Sequence, residues 1–165
     1  MSRDPRTSPR RTASEAQKER GATQDDAMPA ILVPVDGSES SHRAVRFVIG
    51  LHPKLAPLQV RLLYVHLPKL GAHTAVGDQV AERDAIAHAV EAMRSPRRLL
   101  DAAQVPYVSE TRRGHIPQAI AHCAKDTKCC AVVMGTRGMG TTDRVLGSVA
   151  RQVINLVDVP VTLVK

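Results

Sequence analysis

Aromatic residues are almost missing from this chain. Its 165 residues include no tryptophan, one phenylalanine and two tyrosines. A core must therefore be assembled from Val, Ile, Leu and Ala, and a hydrophobic content of 43% makes that feasible. Dry aliphatic segments of this kind suit a parallel sheet covered on both faces by helices. The same shortage speaks against a nucleic-acid reader. Platforms for single strands interleave basic residues with stacking rings, and here the formal net charge of +7 has no such rings beside it. Six Lys/Arg against five Asp/Glu leave residues 1–29 nearly balanced, so the surplus, 17 basic against 11 acidic, lies on residues 30–165. A basic domain of that composition fits small polyanionic ligands, with nucleic acid unlikely as a partner.

Cysteine is scarce as well. Cys123, Cys129 and Cys130 make neither a disulfide framework nor a CxxC pair, and no His/Cys cluster has zinc spacing. They read as free thiols of a reducing compartment. With no apolar run at the N-terminus, the expected location is cytoplasmic. No stretch approaches the roughly 20 apolar residues of a membrane helix. Catalytic signatures are missing too. There is no GxxxxGK[ST] loop to set a lysine on terminal phosphates, no GxSxG elbow, and no carboxylate pair placed for acid–base work. Nothing beyond weak ATP hydrolysis is expected of the chain as an enzyme.

What the sequence does hold is alternation. Residues 1–29 are rich in Arg, Ser, Thr, Asp and Gln without hydrophobic periodicity, and read as a disordered tail. Residues 30–165 read as one domain. Strands are expected over residues 31–35, 58–65, 107–111, 129–134 and 159–164. Helices are expected over about 38–51, 78–104, 118–125 and 148–157. Pro53 should stop the first helix, and Pro96 should end or kink the second near Ser95. Ala44, Phe47, Val48 and Leu51 fall on one face of the first; Val80, Ile86, Ala87, Val90 and Met93 form the stripe of the second. Cys129 and Cys130, adjacent on a strand, should project to opposite faces. Five strands separated by four helical crossovers argue for an α/β fold, a single Rossmann-like, doubly wound parallel five-stranded sheet with helices on both faces.

Two strand ends carry unusual residues. The first offers Val35-Asp36-Gly37. The fourth runs into MGTRGMGTTDRVLGSVA, residues 134–150, where Gly135, Gly138 and Gly147 allow close backbone approach and Gly147-Ser148 opens a helix. Helix N-terminal amides favour anions, and ligands of such sheets bind beyond the C-terminal strand ends at the topological switch point. If strands one and four are neighbours there, one crevice holds a carboxylate and a phosphate cradle, which suits a nucleotide. Taken one by one, Asp36-Gly37 also reads as a turn, Val65 as core and Ser148 as an N-cap.

At these residues the chain resembles the universal stress protein family, over roughly residues 29–165. The likeness rests on ILVPVDGSESSHRAV, LLYVH, the Gly114-His115 segment, and VVMGTRGMG followed by GSVARQVINLVDVPVTLVK. Nucleotide-binding members carry a signature of Gly, two residues, Gly, nine residues, Gly, then Ser or Thr. Gly135, Gly138, Gly147 and Ser148 match it in type, with eight residues, Met139 to Leu146, in place of nine; the shortening is expected near Gly140–Thr142. The resemblance implies the strand order 3-2-1-4-5 and ATP, AMP or ADP as ligand, with or without Mg. It implies Pro34 and Asp36 along the nucleoside, Val65 against the adenine, and the amides of Gly138, Gly147 and Ser148 with the Ser148 hydroxyl on the phosphates. Gly135, Arg137 and Val149 complete the set. It further implies a homodimer in which two copies of residues 159–165 run antiparallel, and a stress-response nucleotide sensor acting through an unknown protein partner. A dimeric interaction protein without nucleotide and a slow ATP hydrolase are the alternatives. The SGGxDS-type loop of related ATP pyrophosphatases is missing at the first strand end, where DGSES stands, which counts against adenylating chemistry.

Overall fold

The computed structural model describes residues 28–55, 57–67, 75–138 and 146–165, with the backbone alone over residues 75–82. The tail expected over residues 1–29 thus lies outside the described residues, save for its last two. Strands and helices alternate as β1 (Ala30–Pro34), α1 (Glu39–Leu55), β2 (Gln59–His66), α2 (Ala75–Ala102), β3 (Tyr107–Arg113), α3 (Ile116–Asp126), β4 (Ala131–Gly135), α4 (Ser148–Leu156) and β5 (Val161–Val164). Every strand pair is parallel, in the order β3-β2-β1-β4-β5.

Side-chain alternation along β1 sorts the core into two layers. Ile31, Val33 and Val35 pack with Ala44, Val45 and Val48 of α1 and Met93 and Leu100 of α2. Ala30 and Leu32 pack on the other face with Ile120, Cys123 and Ala124 of α3 and Ala150 and Val153 of α4. Both faces of the central strand are therefore dry, as a continuous aliphatic run requires. Each fully buried Val or Leu contributes about 1.5–3 kcal/mol, and neither layer holds a buried aromatic ring.

The helices depart from expectation at both prolines. α1 runs past Pro53 to Leu55, because a proline in the last turn removes only one backbone bond. α2 continues through Pro96 to Ala102. Met93 and Leu100, on either side of Pro96, sit in the same core layer, so packing on the sheet holds the helix across the missing N–H. The buried stripe of α2 is also displaced. Ala89, Ala92, Met93 and Leu100 face the sheet, whereas Ile86 and Val90 are 54% and 52% exposed. Small alanines let the helix approach closely and turn the bulkier pair outward. Phe47 of α1 is likewise exposed, at 40%, with Val45 buried in its stead. Cys129 and Cys130 precede β4 rather than lie within it, one buried and one exposed.

The two sheet edges differ. β3 carries Glu110, Arg112 and Arg113, and Arg112 bridges Glu110 at 3.0 Å and Asp126 at 2.8 Å. β5 is Val-Thr-Leu-Val, half-buried throughout. Between the edges, β1 pairs β2 on one side and β4 on the other. The chain reverses its winding there, so the crevice beyond the C-terminal ends of β1 and β4 is the place where such sheets receive ligands.

Candidate functional site

The β1 end folds back on itself. Asp36 Oδ1 accepts the Ser38 N–H at 3.0 Å across Gly37, whose φ is 83°. Ser38 Oγ accepts the Ser41 N–H at 3.2 Å, and the Ser41 hydroxyl donates to the Ser38 carbonyl at 2.8 Å. Side chains of its own segment thereby cap α1.

The β4 end is built differently. Gly135 lies against α1: a Cβ there would stand 2.7 Å from the Ser40 carbonyl carbon and 2.8 Å from its Cβ, so only glycine fits. Thr136 donates its N–H to Val164 O at 2.9 Å, and its carbonyl accepts the Gly147 N–H at 2.8 Å. Arg137 N–H reaches Ser40 Oγ at 3.4 Å. The chain leaving β4 is thus tied to the chain entering α4. Gly147 is the N-cap of α4, and among the described residues no side chain caps the helix. An α-helix leaves its first amides without intrahelical partners; here they belong to Ser148, Val149 and Ala150. Together with the partial positive charge of the helix end, roughly half a unit, they form an anion-seeking surface. One expectation is corrected: the Gly147 amide does not face the cavity as a spare donor, because Thr136 O already holds it.

Between these ends lies a cavity of about 390 Å³. Pro34, Asp36, Val65, Gly135, Arg137, Gly138, Gly147, Ser148 and Val149 all line it. The two strand ends come close, since a Cβ on Gly138 would stand 2.8 Å from Asp36 Oδ2. Residues 139–145, where the shortened span was expected, lie outside the described residues. Sequence reading missed Tyr64, Ile116, Ile120 and Thr136, which also line the cavity. Ile116 and Ile120 stand four apart on α3, a helical spacing just after the Gly114-His115 segment. Thr136 lies inside the glycine motif itself. Burial first, and then the charge of Asp36, raise the Tyr64 phenol above its ordinary range. His115 does not line the cavity; its Nδ1 contacts Gln118 Oε1. The apolar wall of Val65, Ile116, Ile120 and Val149 suits a flat heterocycle, and the α4 end suits a phosphate.

A wider groove of about 930 Å³ runs between α1 and α2 and meets this cavity at Asp36 and Tyr64. It includes His42 and His88 but no part of the glycine loop. Among the described residues, no group of three His, Cys, Asp or Glu could hold a metal ion, and no helix is long and apolar enough to cross a membrane. Cys123 donates to Glu110 Oε1 at 2.7 Å. Burial first, then that hydrogen bond, push its thiol up to about 12, so it stays protonated and unreactive near neutrality.

Known proteins share this fold. Universal stress protein Sll1654 of Synechocystis sp. is 29% identical over 142 residues, covering 81% of this chain and 83% of its own length. The structure of universal stress protein UspA from Lactobacillus plantarum superposes with a TM-score of 0.72 at 23% identity, over 83% of this chain and 97% of that one. A universal stress protein solved in complex with cAMP gives 0.64 at 22%, over 84% and 98%. An Arabidopsis thaliana family protein with AMP bound gives 0.63 at 17%, over 83% and 91%. The model of the universal stress protein family matches residues 28–165. A match of that extent settles the kinship on which the sheet order and the glycine motif converge: the chain belongs to the universal stress protein family.

Proposed function

We propose that this protein binds an adenine nucleotide, ATP or AMP, and acts as a regulatory nucleotide sensor of the stress-response type. The observation that carries the reading is the uncapped start of α4 at one end of an apolar-walled cavity. First-turn amides of Ser148 and Val149, with the Ser148 hydroxyl, take the phosphates; Arg137 adds charge; Gly138 lets the ligand approach. Pro34 and Asp36 line the nucleoside, and Val65 packs on the adenine. Mg accompanies ATP through its phosphates rather than through a protein cage. Relatives with cAMP and AMP bound support this assignment. Mass spectrometry of the protein as purified should find retained adenine nucleotide, and equilibrium dialysis should show binding of labelled ATP and AMP. If the wild type binds neither at millimolar concentration, the nucleotide reading fails and a dimeric interaction protein takes its place. Phosphate release over hours would mark slow hydrolysis.

The same reading includes a homodimer through β5. Among the described residues its apolar strand pairs only with β4, whereas the opposite edge carries charge, and an open apolar edge invites a second strand. Two copies running antiparallel about a two-fold axis close the contact. Val161 and Leu163 replaced together by Lys should convert the dimer to monomer by light scattering. A wild-type monomer at high micromolar concentration, or a dimer indifferent to the change, would refute the contact.

A further inference from the structure

Within the glycine motif, Thr136 carries a buried side-chain hydroxyl with no partner among the described residues. Its backbone is fixed on both sides, by the N–H bond to Val164 O at 2.9 Å and by its carbonyl accepting the Gly147 N–H at 2.8 Å. The residue is 9% exposed and lines the cavity, yet its Oγ1 is buried with no hydrogen-bond partner among the described residues. Such a hydroxyl destabilises the unliganded protein, because buried polar groups are otherwise almost always paired. Valine has nearly the same shape and carries no such penalty. The hydroxyl is therefore explained by something that enters the cavity. Its place narrows what that is. The bond between Thr136 O and the Gly147 amide sets Thr136 beside the N-cap of α4, next to the open amides of Ser148 and Val149. An acceptor held there carries negative charge.

We propose that the Thr136 hydroxyl is a ligand-binding group of this cavity, donating a hydrogen bond to a phosphoryl oxygen seated at the start of α4. The proposal rests on the nucleotide reading above and deepens it. The Gly147 amide, used inside the protein, is replaced as a donor by the side chain of the very residue that occupies it. The phosphoryl group then meets a threonine hydroxyl on its β4 side and helix amides on its α4 side. A β-branched side chain on a doubly anchored backbone has little rotamer freedom to lose on binding.

The test uses the full-length protein and three forms: wild type, Thr136→Val and Thr136→Ser. AMP affinity is measured by calorimetry, adenosine by displacement of labelled AMP, and the melting temperature without ligand. Thr136→Val should bind AMP about ten- to hundredfold more weakly, the range for a hydrogen bond to a charged group. Thr136→Ser should restore most of the affinity. Adenosine should compete equally well in all three. The unliganded Thr136→Val protein should melt at or above the wild-type temperature. Wild-type AMP affinity in Thr136→Val would overturn the proposal, as would a loss shared equally by adenosine. A lower melting temperature in Thr136→Val, corrected by serine, would show a structural hydroxyl and overturn it too. Absence of AMP binding by the wild type is a separate result: it removes the nucleotide reading, and this assignment with it.

Discussion

Two helices begin at the same crevice, and they begin in opposite ways. α1 starts sealed: Asp36 and Ser38 accept its local N–H groups, and the Ser41 hydroxyl returns to the Ser38 carbonyl. α4 starts open, with a glycine at its N-cap and, among the described residues, no side-chain cap. Both ends carry the positive pole of a helix. Among the described residues, α1 has its Ser41 N–H taken up by Ser38 Oγ, whereas α4 has no such side-chain cap. The difference sets the two ends apart: a helix end without a side-chain cap favours an anion more than one whose amides are already taken. The β1–α1 turn gives the cavity a fixed wall and the Asp36 carboxylate, while α4 gives it open first-turn amides. Gly135 joins the two, because the β4 end lies flush against Ser40 only where no Cβ intervenes.

The sharpest way to break this contrast is at the two glycines before α4. Valine at Gly138 would meet Asp36 Oδ2, the movable end of a side chain, so the fold should survive while the ligand loses its approach. ATP and AMP affinity should fall about hundredfold or more, roughly 3 kcal/mol, with the circular dichroism spectrum unchanged. A folded Gly138→Val protein that binds like the wild type would remove the cradle from the α4 end. Alanine at Gly135 should do the reverse. It meets the Ser40 backbone, which cannot swing aside, and overpacking of that kind costs about 1–3 kcal/mol. Urea denaturation should register the loss. Unchanged stability would mean that β4 and α1 are not locked together there.

How much of this was legible beforehand follows from what each signal depends on. The parallel five-stranded sheet and its two layers came through because aliphatic runs and turn residues report burial directly, and β1 displays it residue by residue; the strand order came from the family resemblance. The glycine motif pointed to one cavity, since Gly135, Gly138 and Gly147 in that frame are hard to explain by packing alone, while Asp36, Val65 and Ser148 joined it through the family resemblance. Long-range consequences stayed hidden. Nothing local says that Pro96 will be carried by Met93 and Leu100, or that Ala89 and Ala92 will displace Ile86 and Val90 from the sheet. The use of the Gly147 amide by Thr136 was invisible too, because that bond joins residues separated by a loop. Tyr64, Ile116 and Ile120 reach the cavity only through strand register and helix placement, which sequence spacing does not fix.

The finest test separates a serine that seals a helix from one that faces a ligand. Ser38 Oγ accepts the Ser41 N–H, so Ser38→Ala should lower stability by about 1 kcal/mol, the usual value of an N-cap. Its nucleotide affinity should stay within about twofold of the wild type, far below the 1.4 kcal/mol that a tenfold change represents. Ser148 stands one place further in, as the first residue of α4 after the N-cap Gly147, and is exposed without a cap bond. Ser148→Ala should therefore leave the unfolding midpoint where it is. Its AMP affinity should drop about three- to tenfold, as expected for one hydrogen bond of roughly 0.5–1.5 kcal/mol. The two variants thus trade effects, stability in one and binding in the other. If Ser148→Ala destabilises the protein as Ser38→Ala does, then α4 is capped after all. Its amides would not be open, and the contrast between the two helix starts would no longer locate the site.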